Sequence, residues 1–136
     1  MAEIFEFDTS EAQQCIEITD RVREIVRASG IEQGLCHVMV LHATAAVIVN
    51  ENDDPNIGID LLTALRRNIP DHEGWLHDRV DNNAHAHIKA SILGPSELVP
   101  IADGDLVLGR WQGIMVVELD GPRRRRKVAV TLIPAA

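Results

Sequence analysis

The sequence predicts an α+β fold in one domain spanning residues 1–136, a β-rich, barrel-like antiparallel or mixed sheet carrying about three helices. Three observations lead there. Short apolar and β-branched segments open the chain and fill its last forty residues, and three segments between them keep helical spacing. Strand and helix never alternate regularly, as a doubly wound parallel sheet would require.

Ile4 to Phe7 and Cys15 to Ile18 read as two strands joined by a polar turn at Asp8, Thr9 and Ser10. Thr19 is the expected N-cap of a helix over 20–29, with Val22, Ile25 and Val26 on one face and Gly30 ending it. Leu35 to Leu41 and Ala45 to Val49 are apolar enough for buried strands flanking His42-Ala43-Thr44. The polar cluster from Asn50 to Pro55 is expected to be a loop. Ile59, Leu62, Leu65 and Ile69 then resume helical spacing up to Pro70, which puts Asp60 near the first turn of helix two. Asp71 to Asn82 has no period and reads as a long polar loop. Asn83 can cap a third helix running to Leu93, ended by Gly94-Pro95. Leu98 to Ile101, Leu106 to Trp111, Ile114 to Leu119 and Lys127 to Ile133 read as closing strands, broken by Asp103-Gly104, Gln112-Gly113 and Asp120-Gly121-Pro122.

Composition narrows the function classes. An apolar content of 46% suffices for a real core, while 13 Lys and Arg against 21 Asp and Glu leave a net charge of −8. That field opposes a phosphate polymer, so nucleic acid is not an expected partner. Cys15 and Cys36 fit no CxxC pattern, and free buried thiols in a reducing, cytoplasmic compartment are expected. The acidic start lacks the basic and apolar regions of a signal peptide, and no run approaches the ~18 apolar residues of a membrane span. Neither secretion nor membrane insertion is expected.

Three groups of side chains could carry chemistry. His72, His77, His85 and His87 fall within sixteen residues, and neutral imidazole is a common zinc ligand. No pair has HxxxH spacing. On a helix His85 and His87 diverge by about 200°, so both should not bind one ion. Surface or capping roles are the alternative for each. Glu51, at the end of a strand, is a candidate functional carboxylate where Asp53 and Asp54 read as a solvated turn. Glu118 lies inside an apolar strand and either faces solvent or is buried with a partner. Arg123 to Lys127 is a run of five positive charges. On a strand it would alternate, Arg123, Arg125 and Lys127 on one side, and one side could hold phosphate; the alternative is a charge-protected edge. Trp75 and Trp111 could be plain core.

His42-Ala43-Thr44-Ala45, Asn50-Glu51 with Asp54-Pro55, Asp60, Trp75-Leu76-His77, Ala86-His87-Ile88-Lys89 through Gly94, Gly109-Arg110-Trp111-Gln112 and Glu118 through Arg123 together resemble the successive motifs of the YjbQ-like family, also called UPF0047. The similarity runs from about Thr9 to Leu132 with the motifs in family order. The resemblance implies a YjbQ-like fold, assembly as a homotrimer, a polar pocket near subunit contacts and secondary thiamine-phosphate synthase activity. That activity joins a pyrimidine diphosphate to a thiazole phosphate with loss of pyrophosphate. It further implies a divalent metal, zinc first, on His42, His77 and His87. Glu51, Asp60, Gln112 and Glu118 become catalytic candidates, and Asn50, Trp111, Arg123 and Arg125 substrate- or phosphate-binding ones. Arg110 departs from the family pattern, which more often has a small hydroxyl residue there. Two alternatives stay open: a metal-dependent hydrolase of a small phosphorylated or acylated metabolite, and a non-enzymatic trimeric binder of an anionic metabolite.

Overall fold

Period-2 burial organises the structure, a computed structural model that describes residues 2–136. The elements run β1 (Ala2–Phe7), β2 (Gln14–Glu17), α1 (Thr19–Ser29), β3 (Gly34–Val40), β4 (Ala45–Glu51), α2 (Pro55–Asn68), a 3₁₀ turn (Leu76–Arg79), α3 (Ala84–Leu93), β5 (Ser96–Ala102), β6 (Asp105–Leu106), β7 (Gln112–Glu118) and β8 (Arg126–Pro134). They form two antiparallel sheets. The larger has strand order β1-β8-β3-β5-β6, the smaller β2-β7-β4.

The main core lies between the sheets, where Val38, Val40, Val47, Ile114, Val116, Val128 and Val130 meet Val22 and Val26 of α1. On the far side of β7, Val117 and Leu119 pack with Ala46, Leu62 of α2, and Ala86 and Ala90 of α3. With both faces covered, β7 is apolar in unbroken succession rather than alternating. Parity then decides the fate of two charges. Glu118 shares the inner face of Ile114 and Val116, and Arg126 that of Val128 and Val130, so both point between the sheets.

The α+β class, the three helices and the curled, barrel-like arrangement agree with the sequence reading; several local expectations do not. Asn50 and Glu51 extend β4 instead of forming a loop. Helix two begins at Pro55, because the Asp54 side chain accepts the Asn56 N–H at 2.9 Å, so Asp60 sits in the second turn. Thr19 is the first helical residue rather than the cap, since its Oγ1 accepts the Ile114 N–H at 2.8 Å and is spent on the sheet. Of the expected Leu106–Trp111 strand only Leu106 pairs, together with Asp105 before it; the chain then turns, Gln112 closing the turn by accepting the Gly109 N–H at 2.8 Å. Arg123 to Arg125 precede β8 in a loop, with Arg125 at φ 58 and its N–H donated to Asp8 at 2.9 Å. The expected strand alternation of these arginines therefore does not apply.

Candidate functional site

A carboxylate buried between two sheets needs partners, and Glu118 has five donors. Its Oε1 accepts from Thr9 Oγ1 at 2.7 Å and Arg126 Nε at 2.9 Å. Its Oε2 accepts from Arg126 Nη2 and from the N–H groups of Leu119 at 3.0 Å and Asp120 at 3.2 Å. Burial pushes the Glu118 carboxyl up, but the bonds from Arg126, Thr9 and Asp120 outweigh it and hold the group below its usual range. Saturated and enclosed, Glu118 cannot also accept a substrate proton. It holds the Arg126 guanidinium, which donates onward to Thr44 Oγ1 at 3.0 Å.

Above this pair opens a cleft of about 350 Å³ whose wall includes His42, His87, Asn83, Asp120, Arg123, Arg124 and Arg126. A smaller recess of about 240 Å³ adjoins it, sharing His42 and His87. The Asp120-Gly121-Pro122 turn brings the arginines here. Gly121 is required, because a Cβ would fall 2.1 Å from the Glu11 carbonyl oxygen. Arg123 donates to the Asp120 carboxylate at 2.8 Å, and Asn83 Nδ2 donates to the same oxygen at 2.8 Å. Burial raises the Asp120 carboxyl, yet these two donors prevail and hold it low. Asn83 precedes α3 as expected but does not cap it with its side chain; Asp78 accepts the Ala84 N–H at 2.9 Å instead.

His42 follows β3 and turns its ring back toward β8, where Nε2 accepts the Lys127 N–H at 2.8 Å. Burial lowers its pKa, Arg126 and Lys127 lower it further and Glu118 opposes them, so the ring is neutral at pH 7. His77, on the 3₁₀ turn, meets His87 of α3 edge to face with ring centroids 4.8 Å apart. The three histidines thus gather at one end of the molecule. Their nitrogens do not form a set: among the described residues no three His, Cys, Asp or Glu side chains converge on a point where an ion could sit. A metal-binding imidazole turns its second nitrogen to an acceptor, whereas that of His42 faces a donor. The single chain therefore does not fit a three-histidine centre, although His77 and His87 are adjacent.

The other sequence-derived candidates lie elsewhere. Gln112 and Glu118 occupy opposite ends of β7, roughly 20 Å apart at the rise of a strand. Around Gln112 stand Trp111, half exposed with the Arg110 guanidinium 4.8 Å from its ring, and Glu51, which pairs with Gln112 across the ladder. Asn50 is exposed at the same end, beside an open cleft of about 700 Å³ lined by Arg23, Asn52, Asp53, Arg110, Trp111 and Gln112 among others. Asp60 is exposed on α2, and Arg125 lies outside the wall of the His42 cleft.

Sequence reasoning passed over Arg124, Arg126 and Asn83 as site residues. It also passed over Lys89, which is completely buried with Nζ 2.8 Å from His85 Nδ1 and 3.5 Å from Asp71. Burial lowers the Lys89 pKa, and the Asp71 carboxylate opposes the shift. The His85–Lys89 spacing of i, i+4 was the available signal.

Fold and site together define a small two-sheet α+β protein with an arginine- and histidine-rich polar cleft at one end of its inter-sheet core. The chain belongs to the family described as UPF0047 protein YjbQ-like, whose model matches residues 3–135. A UPF0047 protein of Archaeoglobus fulgidus is 40% identical over 124 residues, covering 91% of this chain and 95% of the relative. Another from Methanothermobacter thermautotrophicus is 39% identical over 118 residues, 87% and 82% of the two chains. A crystal structure of a YbjQ-like protein of unknown function from Sulfolobus solfataricus superposes with a TM-score of 0.95 at 37% identity, over 99% of this chain and 97% of the other. A YjbQ/UPF0047 protein of Clostridium acetobutylicum does so at 0.92 and 42%, over 96% and 99%.

Proposed function

We propose that the His42–Arg126 cleft binds a small phosphorylated metabolite, and that the protein is an enzyme of the secondary thiamine-phosphate synthase type acting on a pyrimidine diphosphate and a thiazole phosphate. One observation carries the anion reading. In a chain with net charge −8, three guanidinium groups and two histidines line one cleft against two carboxylates, Asp81 and Asp120, and one of those guanidiniums is anchored by a buried carboxylate beneath. The transfer reading rests on the family resemblance, with Arg123 and Arg124 neutralising the diphosphate and leaving pyrophosphate. Zinc or another divalent ion enters only at the His77–His87 pair, and no step depends on it.

Assembly as a homotrimer belongs to the same proposal. It is supported by the outer face of the larger sheet, which bears the exposed apolar side chains Ile4, Leu35, Met39, Leu98 and Ile133 that a neighbouring copy would cover. Neighbouring copies would also let the Gln112 end of one subunit serve the His42 end of another. A cytoplasmic location is consistent with the two free thiols, Cys15 and Cys36.

The test is pyrophosphate release. Transfer requires both substrates, so release from the pyrimidine diphosphate should depend on the thiazole phosphate; release from it alone would establish hydrolysis and sink the transfer reading. A second reading, binding without turnover, is favoured by one observation: Glu118 is saturated and Glu51 lies at the far end, so neither carboxylate serves the cleft as a base within one chain. Tight phosphate binding with no release under either condition would establish that reading instead.

A further inference from the structure

We infer that His42 meets the anion in this cleft as a neutral hydrogen-bond donor through Nδ1–H, its Nε2 being held as an acceptor by the Lys127 main chain, and that it is not a metal ligand. The inference deepens the anion-binding reading of the same cleft and rests on it.

The geometry begins where β3 and β8 part. Leu41 donates its N–H to the Lys127 carbonyl at 3.0 Å, as an antiparallel ladder would, and the reciprocal acceptor for the Lys127 N–H would be the Leu41 carbonyl. The imidazole of His42 takes that place instead, Nε2 lying 2.8 Å from Lys127 N. A main-chain N–H can only donate. The facing nitrogen must therefore carry a lone pair, and the single proton of a neutral imidazole resides on Nδ1.

Nδ1 has no partner among the described residues and is not enclosed, on a side chain that lines the cleft together with Arg123, Arg124 and Arg126. It adds a directional donor to groups that supply charge. Binding a metal there would need the lone pair on Nδ1, which sends the proton to Nε2 and sets it against the Lys127 N–H. The ladder bond would be lost. The same constraint removes His42 as a general base, since the nitrogen that could accept a proton is already occupied.

The two ring positions can be mimicked separately. Asparagine in place of His42 returns an amide donor near the Nδ1 position, while glutamine returns an acceptor near Nε2 and leaves no donor at Nδ1. With inorganic phosphate as the calorimetric probe, His42→Gln should weaken binding about tenfold, the worth of one hydrogen bond to a charged acceptor, and His42→Asn should stay within about threefold of wild type. Equal losses in both variants would overturn the donor role.

Two-bond proton–nitrogen correlation spectra of ¹⁵N-histidine-labelled protein, with His42 assigned by its loss in His42→Asn, give an independent reading. The Nδ1–H tautomer is expected, unchanged by added Zn²⁺. An Nε2–H tautomer, or a His42 signal that responds to Zn²⁺, would overturn the inference. If wild type binds no phosphate, the anion reading of the cleft fails and the donor role with it, whereas the tautomer spectrum still decides whether His42 is a metal ligand.

Discussion

The two ends of β7 make an instructive pair. At the Gln112 end the cleft is the larger, about 700 Å³ against 350 Å³, with carboxylates outnumbering arginines in its wall, and its marked feature, the Arg110–Trp111 stack, lies on the surface. At the Glu118 end the cleft is smaller, and beneath it lies an ion pair removed from water. Removing charges from water costs several kcal/mol per ion, recovered only with good geometry and further hydrogen bonds, as Thr9, Thr44 and the Leu119 and Asp120 amides provide here. Size therefore marks the less constrained end. The buried pair marks the end where side chains are held in place.

The largest expected contrast is in stability. Arg126→Met leaves Glu118 buried without its counter-ion and should cost about 3–5 kcal/mol in urea denaturation, whereas Trp111→Ala removes a half-exposed ring and should cost less than about 1 kcal/mol. Equal losses would break the comparison.

The pH dependence follows from the same pair. Glu118 is held below its unfolded value of about 4.3, so the unfolded chain binds its proton first and the stabilisation present above that pH is lost as pH falls through the folded value. In acid titrations of stability, Glu118→Gln should be less stable than wild type at pH 7 and show a shallower decline below about pH 4. A parallel decline would remove Glu118 from the acid response.

Binding should separate the ends next. The double change Arg123→Ala with Arg124→Ala should weaken inorganic phosphate about tenfold or more, and Arg110→Ala should stay within about twofold, by calorimetry at fixed salt. A larger loss from Arg110→Ala would move the anion site to the other cleft. Metal content gives the smallest and sharpest contrast. If purified protein carries about one zinc per chain, His77→Ala and His87→Ala should each lose it and His42→Asn should keep it.

The legibility of the chain follows the same division. Helix and strand types were readable because burial imposes periods of 3.6 and 2, and Val22, Val26 and the β7 run carry those periods openly. Boundaries slipped where side chains had tertiary partners: Thr19 is claimed by Ile114, and the Asn83 amide by Asp120. The motifs pointed to His42, His77 and His87, which do gather at one end, and to Gln112 and Glu118, which lie on one strand but at opposite ends.

Read alone, the sequence determined the class of fold, the order of its elements and the family, because all three reside in local pattern and motif order. Only the tertiary structure decided which arginine enters the core, that Glu118 is a saturated anchor, and which nitrogen of His42 remains free. Those outcomes depend on residues far apart in the chain, Thr9, Thr44 and Lys127 among them, being brought within about 3 Å by sheet register, and no local pattern encodes that meeting.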